Sequence, residues 1–192
     1  MKPNKGVFNR NLTNQLKRIY HKRSLFLAVL LFMFASTAPP VIAKVSQTTQ
    51  IVQTQSDAQQ LVNQATQLYR SGQLQEAAGV WEKAVSAFSA QKDNLNQAMA
   101  LSNLSLTYQQ LGQWEKATKA NQQSLALLQT QSQSQDKQKI LAQALDIQGY
   151  LQKEVGHFTQ SLESWQQAAK IYSQIKEPAK LAQNKINQSQ VM

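Results

Sequence analysis

Three glycines set the frame for this chain. Gly72, Gly112 and Gly156 sit between helix-forming apolar runs, in "YRSGQLQEAAGVWEKAV", "YQQLGQWEKATKANQQSL" and "QKEVGHFTQSLESWQQAA". The surroundings match position by position. A large apolar residue follows each Gly by two places: Leu74, Trp114 and Phe158. Small residues recur seven before (Ala65, Ser105, Gly149), five after (Ala77, Ala117, Ser161) and twelve after (Ala84, Ser124, Ala168). Bulky Leu61, Leu101 and Leu145 precede by eleven. Slim residues at fixed offsets let two antiparallel helices nest closely. The Gly ends the first helix in a conformation that residues with a Cβ resist. The large residue two places on is expected to pack back into the hairpin. One hairpin of this kind cannot bury its apolar face alone, whereas stacked copies share a continuous core.

The register resembles the tetratricopeptide repeat, with Trp81 and Trp165 at the aromatic place of the second helix and Asn121 there in the middle copy. The resemblance covers roughly 57–177 and implies an all-α superhelix of three long hairpins plus a C-terminal helix. The copies lie further apart than the usual repeat, at 72 to 112 and 112 to 156, and the extra residues are expected to extend the second helices. The domain reading is 57–92 for the first repeat, 93–136 for the second and 137–177 for the third. Residues 178–192, with Pro178 at a tolerated first helical position, are either a capping helix or the first half of a truncated fourth repeat.

Ahead of the repeats, Ser56 and Gln59 fit a capping box, which predicts a helix start near residue 57. Residues 44–56, "KVSQTTQIVQTQS", are rich in Gln and Thr without an apolar stripe and read as a flexible linker. Further upstream, "KRIYHKR" precedes the apolar run "LFLAVLLFMFASTA", and Val41 and Ala43 offer a small-residue cleavage site. Residues 1–43 therefore read as a signal peptide cut after Ala43. The alternative is an uncut N-terminal anchor that holds the chain to a membrane through residues 25–42. Export across the inner membrane is expected, to the periplasm, the thylakoid lumen or outside the cell.

Charge argues against nucleic acid as a partner. The chain carries a formal +10, but residues 1–43 hold seven of the 20 Lys and Arg and none of the ten Asp and Glu. Residues 44–192 are left with a balance of +3, too little for a basic docking surface. There is no Cys, which removes disulfides, Cys-ligated zinc and a cysteine nucleophile. The two His, His21 and His157, do not form a metal set. The sequence has no phosphate-cradling glycine loop and no nucleophile elbow. Its carboxylates are scattered singly, so no acid–base pair is expected. No cofactor and no enzyme activity are predicted. The tryptophans Trp81, Trp114 and Trp165 read as packing between helices, ahead of an aromatic ladder for single-stranded nucleic acid.

What the resemblance implies is a protein-interaction scaffold whose first helices line a groove for a peptide or partner helix. By repeat position the groove residues are Val62, Thr66, Tyr69 and Arg70, then Ser102, Leu106 and Gln109, then Asp146, Tyr150 and Lys153. The wording of "VWEKAVSAFSAQKDNLNQAMALSNLSLTYQQLGQWEKA" also resembles the N-terminal repeat region of cyanobacterial CHAT-domain proteins, which carry a caspase-like peptidase downstream. The His and Cys pair of such peptidases is not matched here, so peptidase activity is not carried over. A second expectation follows from that likeness. The array could serve as a structural or regulatory part of such a system, assembling end-on with other arrays through 178–192.

Overall fold

A computed structural model describes residues 41–192, with side chains from Ser56 onward. The expected leader 1–43, its anchor alternative 25–42 and the cut after Ala43 lie outside the described residues, apart from the backbone of 41–43. By internal contacts, residues 50–192 form one unit and residues 1–49 another. Among the described residues there are seven helices and no strand. They are α1 (Val41–Arg70), α2 (Leu74–Ala90), α3 (Asn94–Gln110), α4 (Trp114–Gln129), α5 (Gln135–Glu154), α6 (Phe158–Gln174) and α7 (Pro178–Ser189). None is long and apolar enough to cross a membrane.

Gly72, Gly112 and Gly156 adopt φ of +78°, +70° and +79° at the α1–α2, α3–α4 and α5–α6 turns. In each turn the amide after the Gly donates back across five residues. Gln73 N bonds Leu68 O, Gln113 N bonds Tyr108 O and His157 N bonds Gln152 O, at 2.8–2.9 Å. Such a closure satisfies carbonyls that a helix end would leave bare. The same closure joins successive hairpins, where the left-handed residue is not Gly. Lys92 (φ 58°) and Lys176 (φ 57°) take its place, with Asp93 N on Phe88 O and Glu177 N on Tyr172 O.

The connection 130–134 between α4 and α5 is different. Ser134 is extended and its side chain accepts from Lys137 N at 3.1 Å, so α5 begins at Gln135, two residues ahead of the expected boundary. The extra residues of the long spacing were expected in the second helices. Of these, the four residues by which the 112–156 spacing exceeds the 72–112 spacing lie instead in this connection and in α5, which has 20 residues against 17 for α3, while α4 has only 16.

The expected linker 44–56 is corrected: its backbone belongs to α1, which is continuous from Val41 to Arg70. No Gly or Pro interrupts that stretch. Ser56 is therefore inside the helix, and the capping box does not form there.

The slim residues sit where helices come closest. Ala65, Ala77, Ala84, Ser105, Ala117, Ser124, Ser161 and Ala168 are wholly buried. A single apolar cluster extends from Ala58 and Val62 through Trp81, Phe88 and Tyr108 to Leu151, so core is shared across hairpins. Where a small residue is Ser, its hydroxyl bonds a carbonyl of the facing helix. Ser105 Oγ donates to Ala117 O and Ser161 Oγ donates to Gly149 O, both at 2.7 Å. These pairs join the same two repeat places in opposite directions. Ser124 Oγ likewise donates to Ala98 O at 2.7 Å. Each of these three hydroxyls thus has the partner that desolvation requires.

Candidate interaction surface

The first helices of the later hairpins lie side by side. Gln143 Nε2 of α5 donates to Asn103 Oδ1 of α3 at 2.9 Å, and Asn184 Nδ2 of α7 donates to Asp146 Oδ1 of α5 at 2.6 Å. The predicted groove residues fall along these helices and α1, with unequal exposure. Arg70 is exposed, and Thr66, Tyr69, Leu106, Asp146, Tyr150 and Lys153 are half-buried. Val62, Ser102 and Gln109 are buried. Val62 belongs to the apolar core and offers a ligand little. Thr66 returns its hydroxyl to Val62 O at 2.7 Å. Ser102 Oγ and Gln109 Oε1, seven residues apart on α3, are buried without a hydrogen-bond partner.

In the third hairpin the predicted residues are structural as well as superficial. Asp146 is the junction of three helices. Its carboxylate accepts from Asn184 of α7 and from Tyr172 Oη of α6 (3.3 Å), and its carbonyl accepts from Trp165 Nε1 at 3.1 Å. Burial pushes the Asp146 carboxyl above the usual carboxylate range, against the pull of its two hydrogen bonds and Lys180. Lys153 Nζ lies 4.7 Å from the Tyr150 ring centre, and reaches Gln190 Oε1 at 3.2 Å and Glu154 at 3.3 Å. Tyr150 also stacks on Trp114, with ring centres 6.5 Å apart and planes at 23°.

The tryptophans divide. Trp81 and Trp165 are buried as expected of packing residues, but Trp114 is 40% exposed and forms part of an aromatic edge with Tyr150. Phe158, at the matching place of the third hairpin, is 54% exposed. Both begin their helices at the hairpin tip, and neither packs back fully as expected. Trp165 fits against Gly149 so closely that a Cβ there would meet the indole at 2.7 Å.

Two hollows were not foreseen. A cleft of about 650 Å³ has an apolar floor of Leu125, Leu128, Leu141, Leu145 and Ile171 from α4, α5 and α6, with Gln and Lys around it. A smaller cavity of about 310 Å³ lies at Asn121. The sequence signal for the second was the missing aromatic in the middle repeat. Among the described residues, no cluster of His, Cys, Asp or Glu could hold a metal ion.

No curated protein matches the chain. Residues 57–130, from α1 to the end of α4, match the tetratricopeptide repeat family, in agreement with the Gly-hinged hairpins found there. That segment is similar to tetratricopeptide repeats, a fold that generally mediates protein–protein interaction and is typically a non-catalytic scaffold.

Proposed function

We propose that the chain is an exported scaffold that binds a protein or peptide along the layer of first helices, without chemistry of its own. The third hairpin, beyond the matched segment, extends the same array, since its Gly hinge and small-residue pair repeat the first two. The observation that supports docking is the make-up of α3 and its neighbours. Half-buried Thr66, Tyr69, Leu106 and Tyr150 supply contact area along α1, α3 and α5. Export rests on the leader pattern of residues 1–43, and a relation to CHAT-domain proteins rests on sequence wording alone.

The test is capture by the full chain, compared between variants. Crosslinking in the source cell with the unaltered protein should recover a partner that Leu106→Asp and Tyr69→Glu lose and that the remote Gln167→Glu retains. Equal recovery by all of them would remove the docking face from the account. N-terminal sequencing of the cellular protein should begin at Lys44.

A further inference from the structure

The larger cleft, of about 650 Å³, is charged with one sign only. Its α5 wall is the stripe Lys137, Leu141, Leu145 and Gln148, which share one side of the helix, turned away from Asp146 and Tyr150. From α4 comes Leu125, and from α6 come Ile171 and Lys170. Leu125, Leu141 and Ile171 are only half-buried, so part of the apolar floor is bare. Six glutamines stand round it, and none of their carboxamides is hydrogen-bonded to another described residue. No Asp or Glu lines the cleft. Lys137 is only 7% exposed, and its Nζ donates to Gln131 O at 2.7 Å with two donors left over. Lys170 is exposed, and neither lysine is ion-paired with a carboxylate among the described residues.

We infer that this cleft holds an extended, acidic segment of a partner polypeptide, with aliphatic side chains on the floor and a carboxylate at the lysines. A cationic ligand would meet two ammonium groups and no counter-charge. A plain hydrocarbon would cover the floor and leave the lysines and the amides unused. A fatty carboxylate would match the floor and one lysine, but none of the amides. An extended peptide matches all three. Each of its residues carries an N–H and a C=O that the segment itself leaves unpaired, and a glutamine carboxamide offers both counterparts. A helix satisfies those groups internally. Alternate side chains of an extended segment face the same way. Every second residue therefore rests on Leu125, Leu141 and Ile171, and the acidic ones between them reach the rim beside Lys170. The volume lies within the range of ligand pockets and admits a few residues. The cleft shares no residue with the proposed docking face and stands independently of it.

The test uses the full chain and follows the methyls of Leu125, Leu141 and Ile171 by NMR. The blocked peptide acetyl-LELEL-amide should shift these signals saturably. Acetyl-LKLKL-amide should bind about fivefold more weakly or worse, because its charges are repelled, and acetyl-LQLQL-amide about threefold more weakly. Lys170→Glu should invert the preference between the first two. Gln167→Glu adds an acid to the cleft and spares the docking face. It should weaken acetyl-LELEL-amide and keep the partner captured on the first helices, whereas Leu106→Asp should do the reverse, so either site can fail without the other. Absence of saturation by acetyl-LELEL-amide, equal binding of the lysine peptide, or an unchanged preference in Lys170→Glu would overturn the site. Decanoate that saturates the same methyls at lower concentration than the peptide would overturn a polypeptide as the occupant.

Discussion

A left-handed backbone is costly for a residue with a Cβ, and there are five such positions among the described residues. Three are Gly and two are Lys92 and Lys176, with closing hydrogen bonds of one kind in all five. Replacing Lys92 by Gly should therefore raise stability by about 0.5–1 kcal/mol, the relief of αL strain less the added freedom of the unfolded chain. Gly112→Ala should lower it by about 1 kcal/mol. Urea midpoints at constant slope measure both, and a lower midpoint for Lys92→Gly would contradict the strain argument. The glycine hinges were legible because Gly marks that conformation. The lysine hinges were not, since nothing in a Lys announces positive φ and only the chain's closure on both sides enforces it. Gly149 has a different reason to be Gly. Its φ is not positive, but a Cβ would stand 2.7 Å from the Trp165 ring. Gly149→Ala should cost about 1–3 kcal/mol through overpacking, and less in a Trp165→Phe background.

Among whole helices, the least legible was α1. Its Gln- and Thr-rich start has no apolar stripe and suggested a linker, yet α1 begins at Val41. The stretch holds no Gly or Pro to break a helix, and a search for amphipathic faces is blind to that. Pairing of helices was better encoded, because the small residues that permit close approach recur at fixed offsets. What sequence spacing did not reveal is that serine at those places adds a directed bond. Ser105 and Ser161 each tie one helix of a hairpin to a carbonyl of the other. Ser161→Ala leaves Gly149 O with its helical bond but removes this second one, and should cost about 0.5–1.5 kcal/mol. Ser161→Val should cost more, because the buried site holds no added bulk. Ser134→Ala, which removes the cap of α5, should cost about 1 kcal/mol. Denaturant titration of the three variants orders them, and a cost-free Ser161→Val would disprove the close-approach account of the hairpin.

Across the array, buried polar groups link hairpins that apolar contacts alone would leave free to slide. Asp146, expected in a docking groove, also joins α5, α6 and α7, because Asn184 arrives from a helix whose role sequence position left open. Tyr108 of α3 donates to Glu82 of α2 and thereby couples the first hairpin to the second. These couplings give stability a definite pH dependence. Burial, reinforced by the hydrogen bond to Glu82 and its charge, pushes the Tyr108 phenol up to about 12. Burial followed by the charge of Asp146 raises Tyr172 as well. A tyrosine in the unfolded chain titrates near 10. Above that pH the unfolded chain releases protons that the native state still holds, so stability, complete below pH 10, falls as pH rises through about 12. Asp146 acts with the same sign at the acid end. Its raised carboxyl makes stability fall as pH climbs from the ordinary carboxylate value of 3.8 towards its folded value. Urea midpoints followed from pH 9 to 12 should drop steadily for the unaltered protein, and Tyr108→Phe should flatten part of that slope. A midpoint that rises over this interval, or a slope untouched by both Tyr108→Phe and Tyr172→Phe, would mean that the two phenols do not hold the hairpins together as described.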